Sequence, residues 1–109
     1  MSEDERSFEL IITIVNRGYA DSAMDAAKEA GATGGTLIKA RGTGIKEARK
    51  FFGIIIEPEK DVLLIVVDST IKKAVMKAIC KGAGLSTEGR GMSFSVPVED
   101  IVGIPYFEQ

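Results

Sequence analysis

DVLLIVVDSTIKKAVMKAICKGAG, residues 61–84, decides the fold because a strand and a helix follow each other in it with almost nothing between. The six apolar residues VLLIVV (62–67) are the strongest strand signal in the chain. Their unbroken apolarity predicts a central strand. Asp68, Ser69 and Thr70 come next, with side chains suited to capping the first turn of a helix. Beyond them Ile71, Val75, Ala78 and Ile79 recur at the spacing of one helical face, and Gly82 or Gly84 supplies the stop.

Working outward, MSFSVPV (92–98) alternates in polarity and predicts a strand closed by Pro97. Gly89, Arg90 and Gly91 precede it. Two glycines around an arginine allow two readings: a flexible turn feeding a strand, or backbone N–H groups laid against an anion. Upstream the same order recurs. FELIITIV (8–15) reads as a strand, and DSAMDAAKEAG (21–31) as a helix, with Ala20, Ala23, Met24 and Ala27 on one face and Gly31 as terminator. TGGTLIKARG (33–42) reads as a short second strand from about 35 to 41, interrupted early by glycine. The two halves give βαββαβ, an α+β, ferredoxin-like arrangement: a four-stranded antiparallel sheet with two helices on one face. The other sheet face is rich in Leu, Ile and Val, and a homo-oligomer packing sheet on sheet is the economical cover.

TGIKEARKFFGIIIEPEK (43–60) joins the second and third strands and is longer than a tight hairpin requires. KEARKFF is compatible with a helical turn. The segment as a whole reads either as an extended hairpin arm or as a partner-binding loop that changes shape with ligand.

Bulk properties exclude several classes. At 109 residues the chain predicts one domain, 1–109, with 1–7 as a flexible tail. A net charge of −2 gives no reason to expect nucleic-acid or membrane-surface affinity, and no apolar run is long enough to be membrane-embedded. The acidic start MSEDERSFEL reads as neither signal nor transit peptide, and the single Cys80 fits a reducing cytoplasm. There is no histidine, so no Ser-His-Asp triad or imidazole ligand can form, and one cysteine cannot build a zinc site. No metal and no catalytic residue is expected. Glu99 and Asp100 are adjacent and face opposite ways on an extended chain, which argues against a catalytic pair.

GATGGT (31–36), ARGTG (40–44), EGRGMSF (88–94) and PVEDIVGI (97–104) stand in an order and spacing that resemble the PII nitrogen-regulatory proteins, over roughly residues 8 to 104. The resemblance implies a cytoplasmic, non-catalytic homotrimer that requires no cofactor. It implies that an adenine nucleotide (ATP, ADP or AMP) acts as effector at clefts between subunits. A protruding T-loop, mapping onto 43–60, would contact a target enzyme or membrane transporter in nitrogen regulation. By position, Thr36 would lie near the adenine, and Gly42 and Gly44 at the root of the T-loop. The phosphate-cradling B-loop falls on 85–92, with Thr87, Gly89, Arg90 and Gly91 as its candidate contacts. Lys60 falls where the family often has a lysine serving a 2-oxoglutarate site.

Departures from the family pattern are equally specific. Met92 stands where the family has a lysine, and Gly103 and Pro105 where it has two arginines. Charge-assisted bonds to phosphate are thereby lost, unless Arg90 and Arg41 compensate. The T-loop is shortened and holds no tyrosine, which excludes control by uridylylation there. The alternative reading is a structural, ferredoxin-like scaffold trimer that has lost nucleotide binding.

Overall fold

The computed structural model describes residues 6–42, 49–51, 54–56, 58–87 and 90–103. Its elements run β1 (Phe8–Asn16), α1 (Ala20–Glu29), β2 (Thr36–Arg41), β3 (Arg49–Phe51), β4 (Ile54–Ile56), β5 (Glu59–Asp68), α2 (Lys72–Ala83) and β6 (Gly91–Val98). The main sheet has the order β2-β5-β1-β6, and every neighbouring pair is antiparallel. This is the ferredoxin-like βαββαβ expected from the two halves.

Alternation along the strands separates core from surface. On β1, Ile11, Thr13 and Val15 are buried, and on β5 Leu63, Ile65 and Val67. Against them pack Ala20, Ala23 and Ala27 of α1 and Val75, Ile79 and Ala83 of α2. Thr13 is the polar member of this layer, and its hydroxyl shares a 2.9 Å hydrogen bond with Ser93 on β6. The helices approach closely at Gly82, where an added Cβ would stand 2.6 Å from the Ala26 Cβ.

VLLIVV is central, between β2 and β1, but only one of its faces is covered within the chain. Both helices lie on that side, so Val62, Leu64 and Val66 stay half-buried on the other. There they share a face with Ile38 of β2 and with the register pairs Ile14–Met92, Ile12–Phe94 and Leu10–Val96. Ile38, Met92, Phe94 and Val96 are exposed.

Several local expectations are corrected. Asp68 does not cap α2. Its Oδ1 accepts from the Thr70 N–H and hydroxyl at 2.9 and 2.8 Å, forming an Asx turn that delays the helix to Lys72. Ala78 is only half-buried, and Ala83 completes the buried stripe instead. Pro97 does not close β6, which continues to Val98. Pro97 sits opposite Glu9 on an edge strand, where a missing N–H costs no second ladder. Residues 49–51 are not helical: β3 pairs with β4 in the register Arg49–Ile56, Lys50–Ile55, Phe51–Ile54. The long connection also ends earlier than 60, since Glu59 and Lys60 already belong to β5. Finally, Arg6 and Ser7, placed in a flexible tail by sequence, are tied down. Arg6 pairs with Asp68 at 3.4 Å, and Ser7 bonds Ser69 through both side chain and backbone.

Candidate functional site

Antiparallel pairing brings four strand ends to one edge of the sheet: Asn16 closing β1, Glu59 and Lys60 opening β5, Arg41 closing β2 and Gly91 opening β6. Asn16, Arg17 and Gly18 stitch these ends together. The Asn16 N–H donates to the Arg90 carbonyl at 3.3 Å, and its side-chain oxygen accepts from the Lys60 ammonium at 2.6 Å. Arg17 donates its N–H to the Glu59 carbonyl at 3.4 Å, and its guanidinium pairs with the Glu59 carboxylate. The Gly18 N–H donates to Asp61 at 3.2 Å. Gly18 can present that N–H because its φ of 98° is open to glycine.

Beside this stitch lies a cleft of about 580 Å³, lined by Arg17, Lys39, Arg41, Glu59, Lys60 and Asp61. Four cations face two carboxylates, so the cleft carries an excess of positive charge. Register explains the rest. Lys39 lies opposite Asp61 and bonds it at 2.9 Å, but Arg41, opposite Glu59, does not take that carboxylate because Arg17 does. No described residue hydrogen-bonds or ion-pairs with the exposed Arg41 side chain.

Both carboxylates are held ionised. The Arg17 hydrogen bond lowers the Glu59 pKa, with further help from the Arg17, Arg41 and Lys39 charges. The Lys39 hydrogen bond lowers Asp61, with the Gly18 N–H adding to it against the opposing effect of burial. Glu59 and Asp61 are therefore carboxylates near neutral pH, and neither has a proton to donate there. Among the described residues, no three His, Cys, Asp or Glu side chains gather to hold a metal ion.

The glycine-rich junction between α2 and β6 lies at the same sheet end. Gly84 ends α2 in the left-handed region at φ 68°, and the next amide, Leu85 N–H, returns to the Cys80 carbonyl at 2.9 Å. Thr87 N–H bonds the Gly84 carbonyl at 3.0 Å, and the Thr87 carbonyl accepts from Arg90 N–H at 3.2 Å. Arg90 does not project into the cleft. Its guanidinium stacks over Tyr19, 4.4 Å from the ring centroid, close to Gly84 at the carbonyl end of α2.

Of the residues singled out by sequence, Gly42, Lys60, Arg90 and Gly91 come together at this sheet end, with Thr87 in the adjoining turn. Gly42 donates to the Pro58 carbonyl at 3.3 Å, closing the root of the long connection. Lys60 is on β5 rather than in a loop, and is 7% exposed. Thr36 opens β2 opposite Leu64, about 17 Å along the strand from Arg41, so one chain does not bring it to the others. Gly44 and Gly89 lie outside the described residues, as does Pro105. Met92 is exposed on the open face. Sequence reasoning missed Asn16, Arg17, Tyr19, Lys39, Glu59 and Asp61. The polar run Asn16-Arg17-Gly18 directly after an apolar strand is the one signal that could have found part of this set.

Comparison with known proteins agrees with this architecture. The family model for nitrogen regulatory protein P-II matches residues 8–105. The crystal structure of Arabidopsis thaliana PII bound to citrate superposes with a TM-score of 0.69 at 24% sequence identity, covering 94% of this chain and 84% of that one. No match was found among curated proteins. With its full ferredoxin-like core inside the matched span, the chain belongs to the nitrogen regulatory protein P-II family, whose members are non-catalytic signalling proteins.

Proposed function

We propose that this protein is a PII-type regulator that senses a small anionic effector and relays it to a partner protein in the cytoplasm. The observation that carries the reading is the excess of positive charge in the cleft, set against the root of the connection 43–60 and beside the glycine-rich α2–β6 junction. Adenine nucleotides are the first candidates, on the family's pattern. The structurally similar Arabidopsis protein was bound to citrate, another multiply charged anion. Three copies of the chain, joined through the open sheet faces, would place Thr36 of one subunit near a neighbour's glycine-rich junction. Effector binding would bias the shape of 43–60, the segment offered to a target enzyme or membrane transporter in nitrogen regulation.

Titration calorimetry with ATP, ADP, AMP and citrate tests this. Heat and thermal stabilisation are expected with at least one of them. No response to any at millimolar concentration removes the reading. A second reading, a scaffold trimer without effector binding, is favoured by Met92, Gly103 and Pro105 in place of basic residues. Substituting Gly91 does not separate the two, because its backbone lies too close to β1 to admit a side chain. Charge removal at Lys60 does: a sensor loses affinity, whereas a scaffold keeps its assembly and has no affinity to lose.

A further inference from the structure

We infer that Arg41 is the cation this cleft presents to an anionic effector, and that Arg17 keeps it available by holding Glu59 away from it. The inference rests on the anion-sensing reading above and names the group that replaces the missing basic residues. Cross-strand register sets Arg41 directly opposite Glu59, the natural geometry for an ion pair. Glu59 instead binds Arg17, through the Arg17 guanidinium and, on the backbone, through the Glu59 carbonyl. Asp61, the other carboxylate in the cleft, is taken by Lys39 and the Gly18 N–H. Each carboxylate thus has a dedicated cation, and the guanidinium left over is Arg41, which adjoins Gly42 at the loop root. A planar, five-donor guanidinium suits a carboxylate or phosphate group through paired hydrogen bonds. Arg17 is then a positioning residue. Its guanidinium is committed to Glu59, and removing it lets Glu59 close on Arg41 and compete with the effector as an internal anion.

Two measurements on the full-length protein test this. The first needs no effector. The Glu59 carboxyl is titrated by carbon NMR in wild type, Arg17→Met and Arg41→Met. Arg41→Met should raise Glu59 only slightly, by removing a through-space charge, and Arg17→Met should raise it further but only part of the way to an ordinary glutamate, because Arg41 takes over. A shift with Arg41→Met as large as that with Arg17→Met overturns the assignment, since Arg41 would already be paired. The second is calorimetry with ATP, citrate and inorganic phosphate as separate probes, which also distinguishes phosphate from carboxylate recognition. Arg41→Met should weaken the bound probe about tenfold or more, and Arg17→Met should weaken it less. Glu59→Gln should bind at least as tightly as wild type, and Arg17→Met with Glu59→Gln should recover the affinity lost by Arg17→Met alone. Wild-type affinity in Arg41→Met, or no recovery in the double variant, overturns the proposal. If wild type binds none of the probes, the anion-sensing reading and the effector role of Arg41 both fail, while the Glu59 titration still decides the Arg17 assignment.

Discussion

Gly91 illustrates how a residue's meaning depends on what lies across the sheet. In the sequence it belongs to a Gly-Arg-Gly turn open to an anion. In the structure it opens β6 at φ 145°, and a Cβ there would stand 2.1 Å from the Ile14 carbonyl oxygen and 2.9 Å from the Val15 Cα. The clash is with backbone, so it cannot be relieved by a rotamer change. Gly91→Ala should cost about 3 kcal/mol or more, or abolish folding, as read by chemical denaturation. Asp61 is a second case. Its folded pKa is depressed, chiefly by Lys39, so its stabilising contribution is present above the carboxylate's unfolded value and is lost as pH falls through the folded one. Asp68, depressed chiefly by the Thr70 N–H, follows the same rule. Stability should therefore fall as pH drops below about 4. Asp61→Asn should lower stability near neutral pH by about 2 kcal/mol and flatten that acid decline. A denaturation series across pH checks both effects. Neither partner of Asp61 was legible, because Lys39 and the Gly18 N–H become neighbours only through the β2–β5 register and the turn after β1.

At the scale of elements, hydrophobic periodicity carried most of the architecture. β1, β5 and both helices were readable because each buries one regular stripe against the same core. The β3–β4 ladder was not, since Arg49 and Lys50 favour helix locally and the pairing with β4 that overrides them is made between strands. The interhelical contact was also hidden. Gly82 suggested a helix stop, but it lies within α2 and its role is to let α1 approach at Ala26. Gly82→Ala gains helix propensity of about 1 kcal/mol and loses more to overpacking, for a net destabilisation on the order of 1 kcal/mol. Adding Ala26→Gly should relieve the clash, so a thermal double-mutant cycle is expected to give a favourable coupling between the two positions.

The whole molecule carries an imbalance that no single element reveals. One sheet face is covered by helices, and the other presents Ile38, Met92, Phe94 and Val96 to water. Apolar area of that extent is unusual on an isolated chain and fits burial between copies. Sedimentation should find a species near three times the 11.7 kDa chain mass. Phe94→Glu, at the centre of β6 on that face, should shift it toward monomer. The open face was foreseeable from strand composition, but the cleft was not. Its charges come from three segments that only the sheet order brings together.

That order also sets the timing of assembly. β1 is flanked by β5 and β6, so Phe8 waits for Asp68 on one side and Val98 on the other. β1 thus finds its last neighbour only after both helices and every other strand of the sheet have been made. Contacts so distant along the chain must close large loops before they stabilise anything, which places refolding in the millisecond-to-second range rather than in microseconds. During that interval FELIITIV is an unpaired apolar strand, and the nascent protein is most exposed to aggregation at the segment that later becomes the middle of its sheet.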